Sequence, residues 1–354
     1  MHFSRIRTAV VGVAVAGVAT TALAATSPAS SASGAGFSAR VILNAKAHGW
    51  TAPDDVTRLG GNLYVGFQNG VGSMGEPSST GKVNSTLVEL TTSGRILKTW
   101  ALKGKIDGLG ADPAINRVLV TVNEDGNSSL YAVAPTGAVT HYTYNIPLPS
   151  KGGTDAISVF QGQIYTTASN PAGLGSPTLY RIVLSGHTAQ VLNAKVRDDS
   201  GAFLVNNGAN TPMRLALTDP DSVSVVPGNA PRFRNQFMID AQGDQEAIFV
   251  NEFTRLGTVA RVLKLSQSID DTAFATQAGG MMVVTDAKAD TVDIVTGPFA
   301  AGAGYSVVTP GNSNNAPANP APNYLGKLNL TTGVLTPLVT TGAVVVPHGM
   351  IYIP

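Results

Sequence analysis

Cysteine is absent from the 354 residues. Disulfides, thiolate metal sites and cysteine nucleophiles are thereby excluded. Charge is scarce as well: Asp, Glu, Lys and Arg make up 13%, the formal net charge is +1, and no run of one sign occurs. A nucleic-acid-binding stripe needs clustered Lys and Arg, so nucleic acid is not an expected partner. Beyond residue 25 no stretch reaches the ~18 apolar residues that a membrane-spanning helix requires. Neither a G-x-S-x-G elbow nor an H-E-x-x-H motif occurs, and His48, His141, His187 and His348 are scattered without zinc-ligand spacing. The stretch Gly75 to Val83, GEPSSTGKV, resembles a phosphate loop. It has one residue too many between its glycines, and Val83 stands where Ser or Thr would hold Mg²⁺, so it reads as a loop between strands.

What is abundant is glycine, with 39 residues, and proline, with 21, beside many Thr, Ser, Asn and Val. These are turn formers and strand formers, and together they predict an all-β chain of short strands joined by tight turns. An apolar content of 43% is ample for a core.

The amino terminus has its own pattern. His2, Arg5 and Arg7 precede an uncharged run from Thr8 to Ala25, and Ala22-Leu23-Ala24 has the small-x-small form that precedes signal-peptidase cleavage. A secretory signal peptide is expected over residues 1–25 and a flexible spacer over 26–38, leaving 39–354 as one domain. The run is too diluted by Gly, Ala and Thr to suit a membrane anchor, and no Cys follows it to carry a lipid. The expected location is extracellular or cell-wall associated, as a monomer.

An acidic residue followed by a short small-or-apolar run returns five times: Asp54 in PDDVTRL, Asp107 in IDGLGAD, Asp155 in TDAISVF, Asp221 in PDSVSVV and Asp270 in IDDTAFA. The spacings are 53, 48, 66 and 49 residues. After each comes a β-branched or aromatic strand closing on Asn69, Asn123, Asn170, Asp240 or Asp286. A third and a fourth strand follow in each unit, with MMVVTD, DTVDIV and GYSVVT as strands two to four of the fifth. A period near 50 residues with four strands per repeat predicts a β-propeller, whose blades bury their faces only against one another. Strands at both chain ends are left over, and joining them in one blade would close the ring and remove an exposed edge. Six four-stranded antiparallel blades are expected, with five or seven as alternatives. The Pro/Asn-rich stretch from Pro310 to Asn323 interrupts the pattern as a loop.

The stretches PDDV…NLYV, IDGL, DDTAF…VVTD and TTGVLTPLV…VPHGMIYIP resemble secreted six-bladed propellers of the NHL-repeat and SMP-30/gluconolactonase-like superfamily. The similarity spans Ala39 to Pro354 and is greatest to bacterial extracellular members without an assigned activity. It implies a central channel holding one divalent ion on carboxylate and amide ligands, at which lactones or cyclic esters are opened.

The repeat positions bring Asp54, Asp107, Asp155, Asp221 and Asp270 toward one mouth of that channel, with His348 at the equivalent place in the closing unit. A ring of carboxylates suits Ca²⁺ or Mg²⁺, because hard cations take oxygen ligands. The second-strand ends, Asn69, Asn123, Asn170, Asp240 and Asp286, offer further oxygens. His348 is the candidate general base, since an imidazole beside carboxylates titrates near neutral pH. A position filled alike in five units also suits a structural duty, accepting hydrogen bonds from adjacent turns, and the repetition favours that duty. In the doublets Asp54-Asp55 and Asp270-Asp271, alternation predicts that one residue of each faces the channel.

Three functions are compatible with this chain. The favoured one is a non-catalytic extracellular protein binding another protein, a glycan or a small molecule on one mouth of the ring. The alternative is a divalent-metal-dependent lactonase or lyase, and a third is a cell-wall component.

Overall fold

The computed structural model describes residues 36–148, 153–171, 175–208, 210–251, 259–338, 340–342, 344 and 346–354. The expected signal peptide lies outside them. Of the expected spacer, residues 36–38 are described, and the first strand already begins at Phe37.

The strands in chain order are β1 (Phe37–Asn44), β2 (Pro53–Leu59), β3 (Asn62–Phe67), β4 (Asn84–Leu90), β5 (Ile96–Lys103), β6 (Ile106–Asp112), β7 (Arg117–Val122), β8 (Ser129–Val133) and β9 (Val139–Tyr144). There follow β10 (Ile157–Phe160), β11 (Gln163–Thr167), β12 (Pro177–Ser185), β13 (Thr188–Arg197), β14 (Gly201–Leu204), β15 (Thr211–Arg214), β16 (Pro220–Val225), β17 (Phe237–Ala241), β18 (Glu246–Val250) and β19 (Ala260–Lys264). The last are β20 (Ile269–Phe274), β21 (Met281–Asp286), β22 (Thr291–Thr296), β23 (Gly304–Val308), β24 (Tyr324–Leu328), β25 (Leu335–Pro337), β26 (Thr340–Thr341) and β27 (Pro347–Ile353).

Four consecutive strands pair in order in β2–β5, in β6–β9, in β10–β13 and in β16–β19. A short parallel contact between β9 and β13 joins two of these units into one eight-stranded sheet. The hairpin of β14 and β15 extends another outward. Among the described residues six strands stand innermost, namely β2, β6, β10, β16, β20 and β27. Each packs beside the next, and β27 returns to β2. An antiparallel β-propeller results.

The burial of each strand follows its rank in the sheet. Second and third strands such as β7 (RVLVTV), β17 (FMIDA) and β18 (EAIFV) are buried almost throughout, because neighbouring sheets cover both faces. Outer strands alternate: β9 is exposed at every second residue, and Lys98 and Trp100 lie among alternating exposed and covered positions of β5. The core is accordingly divided. Leu63 and Val65 meet Val283 and Ile294 in one apolar cluster, Tyr64 and Leu87 meet Val118 and Val120 in the next, and Leu119 meets Ile157 and Tyr180 in a third. Ile239 and Ile248 then meet Phe160 and Leu179, Met238 and Phe249 meet Phe274 and Val308, and Tyr305 and Val307 meet Val284 and Met350. Each cluster fills the gap between two neighbours round the ring.

The chain closes differently from the sequence-based expectation for its fifth unit. β20 pairs with β23, and β24 and β25 complete that sheet. β21 and β22, expected as strands two and three there, leave it and form the middle of the sheet β27-β21-β22-β1-β26. Both chain ends do share a sheet, as expected, with β1 on the outer side and β27 innermost. The physical reason for the exchange is that β27 needs a partner on its outer side, and the continuously buried run MMVVTD satisfies it as well as it would satisfy β20. Hydrophobic pattern specifies a buried middle strand without specifying its neighbour.

Candidate functional site

The five repeated aspartates and His348 do converge. Asp54, Asp107, Asp155, Asp221, Asp270 and His348 line one cavity of about 500 Å³ at the beginnings of the inner strands. Its wall carries eight acidic side chains, adding Asp55, Glu124 and Asp271 to those five, against two cations, Lys105 and His348. The lining also includes the apolar side chains of Val56, Leu109, Ile157, Val223 and Met350.

Local backbone geometry makes this mouth. The pairing of the inner strands slips between Pro53 and Val56, Ile106 and Leu109, Pro220 and Ser222, and Ile269 and Thr272. Such bulges put two residues where a regular strand has one and re-aim the side chains. Both members of Asp54-Asp55 and of Asp270-Asp271 therefore line the cavity, where simple alternation predicted one of each. Gly108 lets neighbouring strands approach, since a Cβ there would lie 2.5 Å from the Asp155 carbonyl oxygen.

The acidic groups fall into three sets. In the first, His348 Nδ1 is 3.2 Å from Asp54 Oδ1 and 2.9 Å from Asp270 Oδ2. Burial disfavours the charged imidazole, but the charges of Asp270 and Asp54 and the hydrogen bond to Asp270 outweigh it and raise His348 to about 10. Burial also raises Asp54, to about 6, against the pull of His348 and Lys105. For Asp270 burial is overcome by His348 and by hydrogen bonds from His348, Asp221 and Gln242, so its carboxyl ends below the usual value. Gln242 Nε2 donates to Asp270 Oδ1 at 2.7 Å and to Asp221 Oδ2 at 3.0 Å. Asn312, on the Pro/Asn-rich loop, donates to Gln242 Oε1 at 3.1 Å and fixes that amide's orientation.

In the second set Lys105 Nζ lies 3.0 Å from Asp107 Oδ1 and bonds Glu124 Oε1. Asp107 Oδ2 accepts the Glu124 N–H at 3.1 Å. Burial pushes Asp107 well above the usual carboxylate range, with Lys105 pulling the other way. The third set is Asp155, Asp219 and Asp221, which offer one carboxylate oxygen each, all within 4.8 Å of one another. Asp155 is 5% exposed, and its Oδ2 is buried with no hydrogen-bond partner among the described residues. Burial first, and neighbouring carboxylates next, raise Asp155 and Asp221 well above the usual range and Asp219 to about 6.

The structural duty foreseen for the repeated aspartates falls mainly on their neighbours. Asp55 accepts the Val56 N–H and, across to the next strand, the Leu109 N–H, both at 2.6 Å. Asp271 likewise accepts the Thr272 N–H at 2.7 Å and the Met350 N–H at 2.6 Å. These carboxylates stitch adjacent inner strands together.

The second-strand ends serve turns. Asn69 Oδ1 accepts the Thr51 N–H and Asn123 Oδ1 the Lys105 N–H, and both residues adopt positive φ, which Asn tolerates. Asp286 Oδ1 accepts the N–H groups of Lys288 and Ala289, Asp240 Oδ2 accepts the hydroxyls of Ser222 and Thr272, and Asn170 donates to Asp125. None of the five lines the cavity. Sequence reading did not single out Asp219, Lys105, Glu124 or Gln242. Asp219 was visible as the first acid of DPDSV; it adopts a positive φ of 54, and its carboxylate lies with those of Asp155 and Asp221.

A divalent ion, implied by the family resemblance, fits the third set. Three carboxylate oxygens gathered in one place, one of them buried and unpartnered, are the hard-oxygen donors that Ca²⁺ or Mg²⁺ takes. Asp54, Asp107 and Asp270 already face His348 or Lys105 and fit less well.

No family model matches the chain, and no curated protein matches it. Among solved structures it is similar to a streptogramin B lyase, at 12% identity over 86% of this chain and 74% of that one with a TM-score of 0.45. A protein of unknown function from Bacteroides caccae aligns at 12% identity over 85% and 86%, with a TM-score of 0.49. A β-propeller domain from Myceliophteria thermophila aligns at 8% identity over 83% and 88%, with a TM-score of 0.43.

Proposed function

We propose that the protein is a secreted, monomeric propeller of six blades that works by binding, and that the acidic channel mouth is its binding site for a small, positively charged organic ligand. The observation that supports this reading is the acid contrast: the chain carries a formal +1, while the cavity wall gathers eight acids around two cations, and a bound cation favours the ionised form of those that burial raises. Such a concave, acid-lined mouth focuses its field and raises the local concentration of cations. A volume near 500 Å³ is ordinary for a small-molecule site.

Catalysis by His348 is disfavoured by its own surroundings. A group raised to about 10 between two aspartates stays protonated at neutral pH, so it cannot accept a proton as a general base there. The metal-dependent lactonase or lyase reading keeps one supporting feature, the set Asp155, Asp219 and Asp221. These residues would hold the ion, which when bound would supply a Lewis acid to polarise a ligand oxygen.

The test is a titration of the purified protein with a fluorescent polyamine, beside neutral and anionic analogues of equal size. Saturable binding of the polyamine alone is expected, weakened by 0.5 M salt and about tenfold by Glu124→Gln, equivalent to about 1.4 kcal/mol. Equal binding of the anionic analogue, or turnover of a lactone panel, would overturn it.

A further inference from the structure

A propeller is only as closed as its seams, and the seams here differ. Between β2 and β6 the Asp55 carboxylate accepts the Leu109 N–H, and the Thr121 hydroxyl donates from β7 to the Asp155 carbonyl at the entrance to β10. Between β16 and β20 the Ser224 hydroxyl donates to the Thr272 carbonyl. From β20 to β27 the bond is Asp271 to the Met350 N–H, and the Thr285 hydroxyl of β21 reaches the Asp54 carbonyl on β2. At the β10–β16 seam Phe160 and Tyr165 pack against Phe237 in an apolar cluster that also holds Leu179 and Ile239 at the body of the sheets, and the Asp198 carboxylate accepts the Leu217 N–H. At the mouth of that same seam stand Asp155, two residues ahead of β10, and Asp219 and Asp221, which flank the first residue of β16.

We infer that a divalent cation of calcium's size binds Asp155, Asp219 and Asp221 and bridges the β10 and β16 units, locking the seam where carboxylates of two neighbouring units face one another. Like charges so placed push the two units apart, and a shared cation reverses the sign of that interaction. Ca²⁺–oxygen distances are 2.3–2.6 Å, so ligands on opposite sides of the ion lie up to about 5 Å apart. The three carboxylate oxygens lie within 4.8 Å of one another, inside that span. Mg²⁺, at 2.0–2.1 Å with rigid octahedral demands, suits a tighter set. The buried Oδ2 of Asp155, without a partner among the described residues, is a second and independent sign, because a native interior rarely leaves a polar atom without a partner. The role assigned to the ion is structural: Asp155 and Asp219 stand apart from the His348 and Lys105 sets, and Asp221 shares the Gln242 amide with Asp270.

The experiment uses the full purified chain, stripped with EDTA and dialysed, then titrated calorimetrically with CaCl₂ and, separately, MgCl₂. One equivalent of Ca²⁺ is expected to bind more tightly than Mg²⁺ and to raise the thermal midpoint by about 5 °C at a hundredfold excess over its dissociation constant. Amide exchange at β10 and β16 should slow with Ca²⁺ more than exchange at β4 or β8. Asp219→Asn suits its positive φ and is expected to fold. It should lose at least tenfold in Ca²⁺ affinity while its metal-free midpoint equals or exceeds that of metal-free wild type. Asp155→Asn should behave alike, whereas Asp54→Asn should keep the Ca²⁺ response. No heat and no midpoint shift with either ion, or an unchanged response in Asp219→Asn, would overturn the inference. If the stripped protein still binds the polyamine in that case, the seam site alone fails and the binding function stands; loss of polyamine binding with an intact Ca²⁺ response is the converse.

Discussion

At the scale of single residues, the mouth shows how one repeated side chain is given different work by its surroundings. Asp54 and Asp270 share His348, Asp107 is tied to Lys105, Asp155 has an oxygen with no partner among the described residues, and Asp55 and Asp271 hold backbone. The strongest consequence concerns His348. Its value in an unfolded chain is 6.5 and rises to about 10 in the fold, so the folded protein holds this proton more tightly. The stability it contributes is complete below about 6.5 and is lost as pH climbs from there through about 10. His348→Gln should cost about 1–3 kcal/mol at pH 6, reduced by the partial exposure of the ring. Urea unfolding in EDTA at pH 6, 8 and 10 should show the gap to wild type closing as pH rises. A gap independent of pH would mean that His348 contributes through packing and not through charge. The recurrence of Asp was legible in the sequence, and so was the convergence on one mouth. Which Asp meets His348, which meets Lys105 and which is left without a cation depends on side chains brought in from positions 105, 124, 242 and 312, and no period in the sequence indexes those.

At the scale of elements, the inner strands are shaped by bulges and by glycine. The stretch IDGLGA carries Gly108 and Gly110, and a Cβ on either would meet backbone of the β10 unit at 2.5 and 2.7 Å. Gly108→Ala should therefore destabilise by about 1–3 kcal/mol, the usual result of overpacking against atoms that cannot swing aside. Gly61, with open space around its Cβ position, is the control, and Gly61→Ala should stay within about 0.5 kcal/mol of wild type. Equal midpoints for the two variants in denaturant melts would show that the strands can separate at no cost. The alternating outer strands and the buried middle strands were readable from pattern alone. The bulges were not, because an extra residue in one strand is defined by its partner's register, and the doublets Asp54-Asp55 and Asp270-Asp271 consequently both turn inward.

At the scale of the whole molecule, stability resides in the gaps between units, since each apolar cluster draws residues from two neighbours. The exchange of β21 and β22 adds an interlock: the chain leaves the β20 unit, builds the middle of the closing sheet and returns. Deleting residues 347–354 removes β27, uncovers the edge of β21 and leaves β2 and β20 without their shared neighbour. The truncated chain should be insoluble or melt without cooperativity, whereas the full chain should unfold in one transition seen alike by fluorescence and circular dichroism. A soluble, cooperatively folded truncation would show that the units hold together as an open arc. Among the described residues no helix is long and apolar enough to cross a membrane.

Composition, the period near 50 residues and the alternation of apolar positions determined an all-β propeller, the inward placement of its repeated acids and the meeting of the two chain ends in one sheet. These are properties of local pattern, and local pattern is written residue by residue along the chain. The tertiary structure alone decided which sheet β21 and β22 join, how the acids divide among His348, Lys105 and one another, and that three of them face across a seam. Those outcomes depend on register and on contacts between residues as far apart as Asp54 and His348, where the free energy comes from charges and strands that meet only after the ring has closed.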